Sequence, residues 1–227
     1  MHFSPSSRGR LTTRDLGRFP ANTLFDRLAR AVCHAECLPR KELYEAWEVA
    51  RRVRRVFRGG RVIDMAAGHG LLAHAMILLD DSSAGAVVVD RKLPASCDKL
   101  NRALVKVWPR LSGRVTFVEG ELCGVEILPT DIVVSSHACG GLTDVILERA
   151  SAARARVAVL PCCQNLASRD ASDLLGWGDG ALAVDLLRAL RLQQRGYKIR
   201  TQTIPARITP KNRLLIGEPA SGGVHSR

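Results

Sequence analysis

The stretch with the clearest chemical content is Val62-Ile63-Asp64-Met65-Ala66-Ala67-Gly68-His69-Gly70. Gly68 and Gly70 permit a sharp turn and close approach of backbone to a ligand, and the helix expected next points its N-terminus at the same place. Twenty residues past Gly70, the run Ala86-Val87-Val88-Val89 ends in Asp90. An acid there can reach the ribose hydroxyls of a nucleoside lying across the strand ends. Gly68-His69-Gly70-Leu71-Leu72-Ala73 satisfies the dinucleotide pattern G-x-G-x-x-G/A. Asp64 argues against that ligand. A carboxylate just before the turn repels a pyrophosphate, and suits a cofactor with a positive charge and an amino group. The plain alternatives are a tight turn for the glycines and a solvated strand-end acid for Asp90.

A second constellation joins Ser135-Ser136-His137-Ala138-Cys139-Gly140-Gly141-Leu142-Thr143-Asp144 to Leu160-Pro161-Cys162-Cys163-Gln164. If both segments follow neighbouring parallel strands, His137, Cys139, Cys162 and Cys163 meet at one sheet edge, where such folds bind ligands. Three chemistries fit. His137 can act as a general base or orienting group for a hydroxyl nucleophile. Cys139 or Cys162 can add to a pyrimidine ring. The cysteines with His137 can hold zinc, although their spacing matches no standard zinc pattern and no metal is expected. Free cysteine also packs as a small hydrophobe, and His137 can be a hydrogen-bonded strand-end histidine. Cys33-His34-x-x-Cys37 looks metal-like, but its cysteines stand at i and i+4 on a helix and read as core. Trp177, between Gly176 and Gly178, reads as a substrate lid, a stacking platform or a hydrophobic plug.

The elements that must position these residues follow from hydrophobic periodicity. Thr23-Leu24-Phe25-Asp26 matches a capping box and opens a helix running to about Cys37, which Pro39 ends. A second helix carries Leu43, Trp47, Ala50, Val53 and Phe57 on one face and five arginines on the others, with Gly59-Gly60 as its stop. From Arg61, strands and helices alternate. Strands are expected at 61–65, 86–90, 115–119, 131–136 and 157–160, with helices at 71–79, 96–108, 142–153 and 181–195. Two final strands, 197–204 and 213–217, are joined too tightly for a crossover and should pair antiparallel. Short Val/Ile-rich runs separated by helices imply a parallel sheet buried on both faces.

This order, with the segment from Asp64 to Gly70, resembles class I S-adenosylmethionine-dependent methyltransferases. Their first motif is (D/E)-x-G-x-G-x-G, with Ala66 here in place of the first glycine. The resemblance implies an α/β fold: a doubly wound, mostly parallel seven-stranded sheet, Rossmann-like, with an antiparallel terminal hairpin and N-terminal helices. It implies S-adenosyl-L-methionine as cofactor, held by Asp64, Ala66, Gly68, Gly70, Asp90 and Glu121. Asp64 would face the methionine moiety, Asp90 the ribose, and Glu121 the adenine amine. The N-P-P-(Y/F) signature for exocyclic amino groups is absent after the fourth strand. Pro161-Cys162-Cys163-Gln164 is superficially similar to the P-C-Q of cytosine-5 methyltransferases, without a Glu-Asn-Val partner. H-A-C-G-G-L-T-D with P-C-C-Q, Arg40-Lys41-Glu42-Leu43 and Ile208-Thr209-Pro210-Lys211-Asn212-Arg213 resemble a narrower methyltransferase-domain family. That family includes the eukaryotic tRNA acceptor-stem ribose methyltransferases. Gln164 stands where a histidine usually follows the paired cysteines.

Composition bounds the partners. The 227 residues carry 34 Lys+Arg against 22 Asp+Glu, a net charge of +12, with 46% hydrophobic residues. That is a globular composition, and no apolar run approaches the ~20 residues of a membrane span. The N-terminal stretch has no apolar signal core, and the seven cysteines follow no disulfide framework, so the expected setting is a reducing cytoplasm. Residues 1–61 hold 14 basic and 6 acidic side chains, which concentrates the positive charge there. The expected organisation is a flexible basic arm (1–21), a helical appendage (22–60), a methyltransferase-like domain (61–219) and a tail (220–227). The expected activity is methyl transfer from S-adenosylmethionine, catalysed around His137, Cys139, Cys162 and Cys163. RNA is the preferred acceptor, through the basic N-terminal region; a small molecule or a protein is the alternative. A non-catalytic binding module that keeps the fold is the reading of another class. Sequence does not give the oligomeric state.

Overall fold

The computed structural model describes residues 3–164 and 179–220. Its helices are α1 (Leu24–Ala35), α2 (Arg40–Val56), α3 (Leu71–Leu79), α4 (Cys97–Val107), α5 (Gly141–Ala152) and α6 (Gly180–Gln194). Its strands are β1 (Val62–Met65), β2 (Ala86–Asp90), β3 (Val115–Glu119), β4 (Ile132–Ser135), β5 (Arg156–Val159), β6 (Tyr197–Thr203) and β7 (Arg213–Pro219). They form one sheet ordered β3-β2-β1-β4-β5-β7-β6. The first five strands are parallel, and β7 runs antiparallel to both β5 and β6. This is the doubly wound sheet with a terminal hairpin that the sequence pattern implies.

Burial explains the order. Every residue of β1 and β4 is buried, as a parallel strand covered on both faces requires. Alternate side chains feed two cores. Val62, Val88 and Val134 pack with α1 to α4, while Ile63, Met65, Val133 and Val157 pack with α5 and Leu192 of α6. The edge strand β6 keeps Lys198 and Arg200 exposed, which discourages further strand pairing. Tyr197, the first residue of that strand, is buried instead and donates from its hydroxyl to Ala150 O and Ala155 O.

The N-terminal region differs from expectation. Residues 3–21 are docked rather than loose: Leu11 and Phe19 are buried in the same core as α1 to α4. Arg10 pairs with Pro39 in an antiparallel bridge, and Thr13 donates to the Glu36 carboxylate. Apolar residues dispersed in a polar segment hid this packing. No seam divides residues 22–60 from the sheet either, since α2 lies directly on α3. Arg54 fixes that contact: 2% exposed, it donates to Met76 O and Ser83 Oγ and pairs with Asp80. Trp177, Gly176 and Gly178 lie outside the described residues, as does the tail beyond Ala220. Among the described residues, no helix is long and apolar enough to cross a membrane.

Candidate cofactor and acceptor site

The β1–α3 turn is the best-built feature of the strand-end edge. Gly68 and Gly70 both adopt left-handed backbone, with φ of +54° and +73°. A side chain at Gly70 would strike Val88 Cγ2 at 2.6 Å, so packing against β2 demands glycine there. A side chain at Gly68 would meet nothing within 4 Å, so the backbone at that point is open to a ligand. Ala66 also has positive φ, +54°. It occupies a conformation that costs a non-glycine residue roughly 1–2 kcal/mol.

Two carboxylates bracket the turn. Asp90, at the end of β2, accepts the Gly68 N–H at Oδ2 (2.9 Å) and the Lys92 N–H at Oδ1 (3.2 Å). It thereby holds the turn in shape from the neighbouring strand. Asp64 is 1% exposed, and its Oδ2 accepts the Ala73 N–H at the start of α3 (3.0 Å). Its Oδ1 is buried without a partner. Burial drives the Asp64 carboxyl well above the usual aspartate range, opposed by the Ala73 N–H and reinforced by the negative charge of Asp90. An unpartnered buried carboxylate oxygen costs free energy until a donor or a cation meets it. The donor set therefore fits a cofactor bringing a cationic amino group and a nucleoside, and disfavours one bringing a pyrophosphate.

The loop after β2 closes over the turn. His69 Nε2 lies 2.8 Å from Ser96 Oγ, and the Cys97 thiol donates to Gly68 O (3.5 Å). Glu119, the last residue of β3, accepts the Leu93 N–H (2.9 Å). Gly120 N donates to Asp90 O (3.0 Å), which brings the β3 exit beside the β2 exit. Glu121 follows there, exposed, at the same edge as Asp90.

On the other side of β1 lies the second constellation. His137 lines a small recess with Glu42, His69 and Ser136. Burial holds the Glu42 carboxyl above the usual glutamate range; the nearby His137 offsets part of that rise, and Glu45 adds to it. Cys139 and Cys162 approach with Sγ atoms 2.9 Å apart, and the Cys162 thiol donates to His137 O and Ala138 O, each at 3.5 Å. Cys163 completes a group whose sulfurs all lie within 4.8 Å. The three cysteines expected at one edge converge there, and His137 joins them through its backbone carbonyl while its side chain lines the recess beside Glu42. Gln164 turns away, donating to Asp185 of α6 and accepting from Lys211. Cys33 is buried in the core and Cys37 is half-buried, with no metal cluster around them among the described residues.

Sequence reasoning gave Glu42 no role at the site. It stands in the first turn of α2, in helical register with Ala46 and Val49 on an otherwise buried face. A carboxylate on an apolar stripe was the available signal.

A search of curated proteins gives no sequence match. The fold is shared with solved methyltransferases. One is an O-methyltransferase family protein from Burkholderia thailandensis (TM-score 0.52, 18% identity, covering 96% of this chain and 66% of that one). Another is the mitomycin 7-O-methyltransferase MmcR (0.53, 17%, 92% and 64%). A third is the B. subtilis m1A22 tRNA methyltransferase TrmK (0.50, 15%, 76% and 65%). The chain thus spans less than two thirds of the length of each. Residues 41–170 match a methyltransferase-domain family. That match takes in the glycine turn, both strand-end acids and the cysteine edge, and the chain belongs to this methyltransferase-domain family.

Proposed function

We propose that the protein is an S-adenosylmethionine-dependent methyltransferase whose acceptor is RNA. The observation that carries the cofactor reading is the buried, unpartnered Oδ1 of Asp64 beside the open backbone of Gly68. Asp64 would meet the cofactor's amino group, Asp90 and the glycine turn its ribose side, and Glu121 its base. The bound cofactor supplies a methyl already activated on a sulfonium, so the protein's part is largely positioning. His137 accepts the proton that an acceptor hydroxyl must lose, and Glu42 beside it steadies the resulting imidazolium. Seven free thiols suit a reducing, cytoplasmic setting.

The RNA reading rests on charge around the site. Several basic residues of the first 61 are spent internally. Arg30 donates to Phe19 O and Ala21 O, Arg52 pairs with Glu48, Arg54 with Asp80 and Arg61 with Asp131. Arg8, Arg10 and Arg14 remain exposed on the docked N-terminal segment, and Arg91, Lys92 and Lys99 around the loop that covers the turn. Arg10 sits close enough to His69 to reinforce the downward shift that burial imposes on that imidazole. Such a rim favours a polyanion.

Labelled S-adenosylmethionine, incubated with the protein and separate RNA, protein and small-molecule fractions, tests the reading. Label is expected in RNA, with transfer that falls steeply with salt and falls further in Arg10→Glu/Arg14→Glu. Label entering only the small-molecule or protein fraction, independent of salt, contradicts the RNA acceptor. Deleting the N-terminal segment is a poor test, because Leu11 and Phe19 belong to the core.

A further inference from the structure

The cysteine edge contains more than a methyl-transfer site needs. Cys139 lies just before α5, and Cys162 and Cys163 follow β5, so two crossovers of the sheet deliver three sulfurs to one point. Those sulfurs lie within 4.8 Å of one another. Three sulfurs around a tetrahedral zinc, each about 2.3 Å from the metal, stand about 3.8 Å apart. Small rotations of side chains, two of them exposed, reach that spacing from the present arrangement. A disulfide between Cys139 and Cys162 would use two of the three and leave Cys163 without a role.

We propose that Cys139, Cys162 and Cys163 form a three-thiolate site for a zinc ion, with its fourth position open at the acceptor edge. Soft sulfur donors select zinc over magnesium or calcium, and three protein ligands with an open position are the pattern of reactive rather than purely structural zinc. Ligation exchanges three S–H bonds for three S–Zn bonds and releases three protons to solvent. Cys162 gives up its weak donations to His137 O and Ala138 O in the process. The inference is independent of the cofactor reading.

The full chain, untagged, is expressed with Zn2+ and purified under reducing conditions without chelator, and its metal is measured by mass spectrometry. The expected result is one zinc per chain. Replacing zinc by Co2+ should give an intense sulfur-to-cobalt charge-transfer band in the near ultraviolet. Cys139→Ser, Cys162→Ser and Cys163→Ser should each lose the bound metal and the band, while Cys123→Ser, outside the group, keeps both. Far-ultraviolet circular dichroism separates loss of the site from loss of the fold. A wild-type protein with no zinc and no cobalt band, zinc content unchanged across the three variants, or a Cys139–Cys162 disulfide in the freshly purified protein would each overturn the proposal.

Discussion

Asp64 and Asp131 sit at opposite ends of the same sheet, on β1 and just before β4, and each is 1% exposed. Their surroundings are opposite. Asp131 is saturated: Arg61 donates from Nε (3.1 Å) and Nη2 (2.7 Å), and the Leu128 N–H adds a third bond (2.7 Å). Asp64 has one backbone donor and an empty second oxygen. The first carboxylate closes the N-terminal edge of the sheet, and its partner is in the chain. The second lies at the C-terminal edge, where doubly wound sheets bind ligands, and its partner must come from outside. Burial alone does not separate a structural acid from a binding one. An unmet hydrogen-bonding capacity does.

The largest effect that tests this contrast is on Asp131. Asp131→Ala leaves the Arg61 guanidinium and the Leu128 N–H without their acceptor, and chemical denaturation should show a loss of about 3 kcal/mol. Arg61 is 35% exposed, so water meets part of that loss and keeps it at the low end for a broken buried pair. An equal or larger loss in Asp64→Asn would erase the distinction between the two sites.

The next effect is a dependence on pH. The folded protein raises the Asp64 carboxyl above its unfolded value, so it binds that proton more tightly than the unfolded chain does. This contribution is fully present below the ordinary aspartate range and is lost as pH rises toward the raised value. Wild type should therefore lose stability relative to Asp64→Asn by up to about 1.4 kcal/mol per pH unit across that window. Parallel stability profiles for the two proteins would contradict the shift.

The smallest effect concerns Ala66, whose left-handed backbone carries strain that glycine would not. Relief of that strain, less the greater entropy of glycine in the unfolded chain, should make Ala66→Gly more stable by about 0.5–1 kcal/mol. A lower melting temperature for Ala66→Gly would show that the methyl group packs usefully at the turn.

The sheet was legible because its strands are short Val/Ile runs bounded by turn residues, and because period and connection length separate parallel crossovers from the closing hairpin. The glycine turn and its two acids were legible from residue type and spacing. What escaped depends on contacts between distant segments. Nothing in Leu11 or Phe19 alone announces that a Pro- and Ser-containing stretch docks on α1 and α2. Nothing in the Arg51–Arg58 run tells that Arg54 is internal while Arg55 and Arg58 are exposed. The division of labour between the acids was equally hidden. Asp90, expected to hold a ribose, also braces the turn through the Gly68 N–H.

The most direct test of the central claim is isothermal titration of wild type and Asp64→Asn with S-adenosylmethionine and S-adenosylhomocysteine. The account predicts that wild type binds both. It also predicts that Asp64→Asn, still folded and melting no lower than wild type at neutral pH, binds them at least about tenfold more weakly, as loss of a charge-assisted contact implies. Binding of equal strength in the two proteins, or no binding by wild type, would contradict it.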